Sequence, residues 1–117
     1  MRNPPTDKQL SKIPKVYSTD GIKLKDKKCY MKFFVTNWRW YILEYNAKDR
    51  EFFALAVTPY VPDGELGYVS YDELRDMKIR GYIEVERDFS INSSKPVLLS
   101  TALKNDNLTE AYEKVIR

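Results

Sequence analysis

Three consecutive apolar and aromatic runs between residues 29 and 58 leave few topologies open to this chain. Runs 29–35, 38–45 and 51–58 are rich in Phe, Tyr, Trp, Val and Ile, which favour strands. The segments between them, 36–37 and 46–50, have the length of hairpin turns. Consecutive strands joined by short turns pair in antiparallel fashion, so these runs predict a β-meander.

Three helix-capping signals surround this meander. In each, a residue with a hydroxyl or amide side chain lies three positions before Glu or Gln. At this spacing the first side chain accepts the backbone N–H of the second residue, and the second side chain accepts the backbone N–H of the first. The pairs are Thr6 with Gln9, Ser70 with Glu73, and Asn107 with Glu110. They predict helices over about residues 7–13 and 71–77, and a third helix near the C-terminus.

The remaining segments complete an α+β chain. Residues 82–89 alternate between apolar and polar side chains, which predicts a strand with Ile83, Val85 and Phe89 facing the core. Residues 59–64 have the composition of a turn cluster. We therefore expect a twisted antiparallel β-sheet, a meander of about four to five strands, with short helices packed on one face and a C-terminal helix.

The length of 117 residues is typical of a single domain, 1–117. The chain has no histidine, which excludes Ser-His-Asp and Cys-His nucleophile pairs and histidine metal ligands. Its one cysteine, Cys29, lies in an apolar run, so we expect a buried, unreactive thiol in a reducing, cytoplasmic environment. With no apolar signal region and no run of 18 apolar residues, neither secretion nor a membrane span is expected.

The net charge of +3 conceals halves of opposite sign. Residues 1–50 carry 12 Lys and Arg against 5 Asp and Glu, a net of +7. Residues 51–90 carry 4 against 9, a net of −5, and residues 91–117 carry 4 against 3, a net of +1. Two oppositely charged faces would attract one charged partner and repel another.

The strand at residues 38–45 carries aromatic side chains on both faces. Strict alternation places Trp38, Trp40, Ile42 and Glu44 on one face and Arg39, Tyr41, Leu43 and Tyr45 on the other. Trp, Tyr and Arg are favoured at binding hot spots, so the strand is a candidate docking or stacking platform. The alternative is a central strand covered on both sides.

A lysine-rich segment is the second candidate site. Its residues are Lys23, Lys25, Lys27, Lys28 and Lys32. With aromatic residues nearby, such a cluster is a candidate nucleic-acid-binding site. The alternative is a solvated edge strand that its lysines protect from aggregation.

The acidic half supplies the third candidate set: Asp63, Glu65, Glu84, Glu86 and Asp88. Paired carboxylates bind Mg²⁺ or perform acid–base chemistry. Asp63 followed by Glu84 and Glu86 loosely matches a restriction-type nuclease core, but that core needs lysine where this chain has Glu86. A carboxylate- or metal-dependent hydrolase is therefore a minor alternative.

Arg87 falls on the apolar face of the strand predicted at 82–89. A guanidinium is costly there unless it is paired. We expect a carboxylate partner, with Glu44 and Glu65 as the candidates.

Seven short motifs follow one another along about residues 10–89. They are Ile13-Pro14 with Tyr17, Lys32-Phe33-Phe34, Trp38-Arg39-Trp40-Tyr41 with Glu44, Phe52-Phe53, Glu65-Leu66-Gly67-Tyr68, Glu73-Leu74, and Glu86-Arg87-Asp88. This order resembles a small bacterial family catalogued as domain of unknown function 2958. The chain departs from the family at Ala54, where the family tends to carry glycine, and at the turn 59–64. The segment 90–117 is an extension beyond the resemblance.

The resemblance implies a genomic context but no catalytic activity, since no catalytic residues are assigned in the family. Its members occur on phages, plasmids and conjugative elements, whose small accessory proteins often counter host defences. We therefore expect a non-enzymatic binding protein without a cofactor that inhibits a nucleic-acid-targeting defence, in the manner of an anti-CRISPR protein. A nucleic-acid-binding accessory factor is the alternative.

The expected partner is a bacterial defence nuclease or its guide RNA, in the host cytoplasm. In one version the acidic half imitates a nucleic-acid backbone in a positively charged channel, and in the other the lysines hold bound RNA. The expected partner-binding residues are Trp38, Arg39, Trp40, Tyr41, Glu65, Tyr68, Glu84 and Glu86.

Overall fold

The computed structural model describes the chain from Met1 to Arg117 and contains a five-stranded antiparallel sheet. The strands are β1 (Lys28–Cys29), β2 (Met31–Val35), β3 (Trp38–Asn46), β4 (Glu51–Thr58), β5 (Val61–Ser70), β6 (Lys78–Ile79), β7 (Ile83–Glu84), β8 (Glu86–Arg87) and β9 (Val97–Leu98). The main sheet has the spatial order β5-β4-β3-β2-β8, while β1 pairs with β9 and β6 with β7. The expected α+β class is confirmed.

Helical segments flank the sheet. They are α1 (Asp7–Ser11), α2 (Tyr71–Asp76), α3 (Leu99–Asn105) and α4 (Thr109–Ala111), with a 3-10 turn at Leu24–Asp26 and a π-helical turn at Tyr112–Ile116. No helix is both long and apolar enough to cross a membrane.

The capping signals are confirmed for two of the three helices. Thr6 Oγ1 accepts the backbone N–H of Gln9 at 3.1 Å, and the Gln9 side chain accepts that of Thr6 at 2.8 Å. Ser70 Oγ accepts the N–H of Glu73 at 3.2 Å. The prediction that Asn107 caps the last helix is wrong, because Asn107 has a φ of 58° and the helix begins after it.

Apolar side chains pack on both faces of the sheet, so β3 is a central strand covered on both sides. On one face lie the short helices α1 and α2, over a core that includes Leu10, Phe33, Trp40, Phe52 and Leu74. On the other face lie α3 and α4, over a core that includes Tyr41, Leu43, Leu55, Leu99 and Leu103. The segment 90–117 therefore supplies one wall of a core. Its first helix, α3, was not predicted from the sequence.

A β-bulge in β3 reverses the side-chain alternation near the end of the strand. The register with β4 shifts between Ile42 and Glu44, and one extra residue exchanges the faces of all residues that follow. Tyr45 therefore packs with Ile42 and Phe52. Glu44 lies opposite Phe53, which packs on the other face. The prediction that put Glu44 with the tryptophans and Tyr45 with Tyr41 is wrong for this reason.

Most of the turn cluster expected at residues 59–64 is strand. Pro59 and Tyr60 alone reverse the chain, and Thr58 Oγ1 accepts the N–H groups of Tyr60 at 3.1 Å and Val61 at 3.2 Å. Strand β5 starts there and runs for ten residues along one edge of the sheet. Pro62 fits because an edge strand has a side without ladder hydrogen bonds.

The strand expected at residues 82–89 is divided between two sheets, because β7 pairs with β6 whereas β8 pairs with β2. Val85 between them is fully buried, but Phe89 is 63% exposed and does not face the core as expected. The N-terminal chain runs beside this break. Arg2 donates its N–H to the Val85 carbonyl at 2.8 Å, and its own carbonyl accepts the N–H of Arg87 at 3.1 Å.

Cys29 is fully buried, as expected. Burial raises the pKa of its thiol to about 12. The thiol donates to the Met31 carbonyl at 3.2 Å. Because the thiolate is the reactive form, these observations favour an inert side chain.

Candidate binding surface

The loop at residues 15–19 is held by the buried carboxylate of Glu44. Glu44 is 2% exposed, and its two oxygens accept the backbone N–H groups of Tyr17 and Thr19, each at 3.0 Å. The Thr19 hydroxyl donates to the same carboxylate. A buried carboxylate is stable only when its oxygens are satisfied, and here the main chain satisfies them. The bulge in β3 is what aims Glu44 at this loop.

Two further features mark this loop as constrained. Tyr17 has a φ of 71°, in the left-handed region that residues other than glycine rarely occupy. Its side chain is 69% exposed, so burial of the ring does not explain the conformation. The Lys27 ammonium donates to the carbonyl and hydroxyl of Thr19 at 2.6 and 2.8 Å. Strain of this kind persists where surrounding contacts impose it and is frequent at functional sites.

Two clefts lie on either side of this loop. The larger, about 480 Å³, has an apolar floor that includes Leu10 and Tyr45, with Lys15 and Lys48 among its lining residues. The smaller, about 190 Å³, is lined by Thr19, Ile22, Asp26, Lys27, Lys28, Tyr30 and Leu43. Both clefts thus combine lysine with an aromatic ring.

The lysines in and next to these clefts differ in what they contact. Lys23 and Lys25 line neither cleft, but they lie in the segment between Ile22 and Asp26, which line the smaller one. Lys15, Lys23, Lys25, Lys28 and Lys48 are exposed and take part in no ion pair. We call these five residues the basic surface. Residues 15–28 carry five lysines against Asp20 and Asp26, a local net charge of +3. Of the sequence-predicted lysines, Lys23, Lys25 and Lys28 belong to this surface, and Lys27 supports it through Thr19.

Lys32 lies apart from the basic surface, inside the protein. Its side chain is 8% exposed, and its ammonium lies 3.1 Å from Asp88 and 2.8 Å from Asp106. The Tyr41 hydroxyl donates to the same Asp106 oxygen at 2.5 Å. Burial and this hydrogen bond raise the pKa of Tyr41 far above its usual value. The structure therefore gives Lys32 a structural contact and does not present it to a phosphate.

The predicted aromatic platform is largely core. Trp40 is 5% exposed and Tyr41 is fully buried. Trp38 is half-buried and packs against Trp40 at 6.0 Å and the exposed Tyr60 at 5.8 Å between ring centroids. Arg39 lies on the opposite face, beside Phe34. The platform residues therefore do not form one surface.

A shallow groove lies next to Trp40. Its volume is about 250 Å³, and its lining residues are Trp40, Ala54, Ala56, Glu65, Gly67, Tyr68 and Val69. The small side chains of β4 form this depression because they leave the sheet uncovered there. The groove brings together Trp40, Glu65 and Tyr68, three predicted partner-binding residues from two different strands. Glu84 and Glu86 meet at a different cleft, beside Arg2 and Phe34.

Most of the carboxylates in the acidic half are paired with cations. Asp63 pairs with Lys114, Asp72 with Arg50 and Arg75, Asp76 with Arg75, Glu84 with the N-terminal ammonium, Glu86 with Arg2, and Asp88 with Lys32. Glu65 and Glu73 are exposed and form no ion pair. The negative charge of residues 51–90 is therefore largely compensated by neighbouring cations. No group of three carboxylate or thiol side chains in the structure is arranged to hold a metal ion.

The carboxylate partner expected for Arg87 is absent. Arg87 is 6% exposed, and its Nε donates to the carbonyl of Asn3 at 2.8 Å. Its guanidinium lies over the Phe89 ring, 4.7 Å from the centroid. Burial without an anion lowers the pKa of this group. The proposed pairing with Glu44 or Glu65 is wrong, because the N-terminal chain lies alongside Arg87.

Sequence reasoning missed the part that Glu44, Lys15 and Lys48 have in this surface. The available signal was Glu44, the single carboxylate within an apolar strand. A buried carboxylate requires hydrogen-bond donors or a cation next to it. The bulge that aims it and the loop that meets it have no local signature. Lys15 and Lys48 are separated by 33 positions, and only the fold brings them to one cleft.

Comparison with known proteins gives no match: no family model, no curated protein and no solved structure is significantly similar to this chain. The family resemblance of residues 10–89 therefore stays a prediction.

Proposed function

We propose that this chain is a non-enzymatic, cytoplasmic protein that binds single-stranded nucleic acid, RNA in the first place, through the basic surface. The supporting observation is the presence of five exposed lysines without ion pairs around a loop that presents the exposed ring of Tyr17. Lysines contact phosphates by displacing counterions, and bases stack on aromatic rings. Two clefts with lysine among their lining residues lie next to this loop and are open to such a ligand.

The distribution of ion pairs favours this function over nucleic-acid mimicry. A mimic needs uncompensated carboxylates, whereas six of the nine carboxylates in residues 51–90 lie next to a cation. The lysines of the basic surface have no such partners. Positive charge is therefore the charge that this protein offers to a ligand.

The expected inhibition of a bacterial defence system fits this function as a specific case. In that case the basic surface would hold the guide RNA on which a CRISPR nuclease depends for target recognition. Inhibition of such a nuclease by this chain should then disappear together with RNA binding.

The test is fluorescence anisotropy with a labelled single-stranded RNA over a series of salt concentrations. The affinity for an RNA that contacts Lys23, Lys25 and Lys28 should fall steeply as the salt concentration rises. The triple variant Lys23→Gln, Lys25→Gln, Lys28→Gln should reduce the slope of log K against log salt by about 2, and the affinity about 100-fold at about 0.1 M salt.

The matched control removes the same charge elsewhere. Lys78→Gln, Arg80→Gln, Lys104→Gln changes three exposed cations outside the basic surface and should leave affinity within about threefold of the original protein. Equal losses in the two triple variants would mean that net charge alone drives binding. Such a result, or RNA affinity that does not depend on salt, would contradict the proposed site.

A further inference from the structure

The two edges of the main sheet differ in how they are covered. Strand β8 is two residues long, and the N-terminal chain pairs with it at Arg2 and Glu86. Strand β5 at the other edge is ten residues long. An exposed edge strand presents unpaired N–H and C=O groups, which soluble proteins usually cover or interrupt.

Strand β5 is protected at its beginning but open in its middle. Near its start lie Pro62 and an irregularity in the pairing with β4, and the Lys114 ammonium donates to the Gly64 carbonyl at 3.3 Å. From residue 65 to residue 69, no backbone hydrogen bond is formed outside the sheet. No proline, lysine or arginine occurs there. We call residues 65–69 the open edge.

The open edge carries two exposed apolar side chains placed symmetrically about Gly67. Leu66 is 38% exposed and Tyr68 is 49% exposed. Both point to the same face, where they lie opposite Leu55 and Phe53 of β4. Large apolar side chains beside unpaired backbone are the features by which sheets extend across an interface.

We propose that the open edge pairs with the open edge of a second copy of this chain, antiparallel about a two-fold axis at Gly67, so that two five-stranded sheets become one. In this register Leu66 of each copy lies opposite Tyr68 of the other, and each side chain covers its counterpart. This self-complementarity favours a second copy over an unrelated strand.

The charges of the open edge also agree with self-pairing. Its only charged residue is Glu65, which in this register lies opposite Val69 of the second copy. The two Glu65 residues are then four positions apart, about 13 Å along the strands, so their repulsion is weak. Tyr68 lies beside Tyr17, so the interface borders the loop at residues 15–19, and dimerisation would place two basic surfaces on one particle.

Sedimentation equilibrium over a range of protein concentrations tests the proposal. The unmodified protein should show a monomer–dimer equilibrium, and Tyr68→Lys should raise its dissociation constant about tenfold or more. Tyr82→Lys is the matched control because Tyr82 is 72% exposed and lies in the turn between β6 and β7, outside the main sheet, and it should leave the equilibrium unchanged. A protein that is monomeric at all concentrations up to about 1 mM, or a dimer that Tyr68→Lys leaves intact, overturns the proposal.

A cysteine placed at the axis tests the register. The Cβ of Gly67→Cys meets no atom within 4 Å, and mild oxidation should link two copies through it. Gly21→Cys is equally unhindered and lies outside β5, so it should form no comparable cross-link. The buried thiol of Cys29 should not interfere. Equal cross-linking of the two variants, or none at Gly67→Cys, overturns the two-fold pairing at Gly67.

Discussion

The ammonium of Lys32 lies 2.8 Å from a carboxylate oxygen of Asp106, an ion pair that joins strand β2 to the end of helix α3. The two residues are 74 positions apart in the sequence. Asp88, which follows β8, contacts the same ammonium at 3.1 Å. One buried cation therefore connects the sheet to the C-terminal segment, which the resemblance does not include.

Replacing this cation should destabilise the protein. Lys32→Met leaves two carboxylates close together without their counter-charge, and we expect a loss of about 2–4 kcal/mol in the free energy of unfolding. Urea denaturation measures the change. Lys25→Met, at an exposed and unpaired position, should cost less than about 0.5 kcal/mol. Equal effects of the two substitutions would contradict a structural role for Lys32.

The stability of the protein should fall in acid because of Asp88. Burial acts to raise its pKa, but hydrogen bonds from Ser90 and the Lys32 ammonium outweigh burial, so the pKa in the folded protein lies below its usual value. A carboxylate with a lowered pKa stabilises the fold fully above about pH 4, and this stabilisation is lost as the pH falls through the folded-state pKa.

The measurement is the free energy of unfolding of the original protein and of Asp88→Asn from about pH 2 to pH 7. The original protein should be more stable at neutral pH, and the difference should shrink below about pH 4. Other carboxylates titrate in both proteins and cancel in the comparison. A difference that does not change with pH would contradict the lowered pKa.

Glu44→Gln should loosen the loop at residues 15–19. The substituted amide has one acceptor oxygen where the carboxylate has two, so one of the two bonded backbone N–H groups loses its partner, which we expect to cost about 1–3 kcal/mol. Hydrogen exchange should speed up at the amides of Tyr17 and Thr19. Glu65→Gln, at an exposed and unpaired carboxylate, should change neither rate. Unchanged exchange in Glu44→Gln would mean that other contacts hold the loop.

Leu103→Ala should destabilise the whole protein and not only its C-terminal segment. Leu103 on α3 and Leu74 on α2 are both fully buried, on opposite faces of the sheet. Each truncation should cost about 2–5 kcal/mol and preserve a single unfolding transition. Thermal unfolding followed by circular dichroism measures this. If Leu103→Ala melts the segment 90–117 separately, the two cores do not form one cooperative unit.

Local sequence patterns were sufficient to predict the strands and helix starts that depend mainly on interactions between neighbouring residues. The meander of β2, β3 and β4 follows from β-favouring runs with turn-length gaps, and the start of α1 follows from its capping box. These signals act over a few residues, so they can be recognised without the fold. They failed at residues 59–64, where turn-forming residues lie in an edge strand that pairing with β4 stabilises.

The sequence by itself determined the α+β class, the central meander, the absence of histidine chemistry and the positive charge near the N-terminus. The tertiary structure decided which charges are free. Lys28 and Lys32 are four positions apart in one lysine-rich segment, yet the first is exposed and the second is buried between carboxylates from distant segments. Likewise, one bulge in β3 turned Glu44 from the tryptophan face to the loop that it holds. Burial and ion pairing depend on contacts between residues far apart in the chain, and local sequence patterns do not encode them.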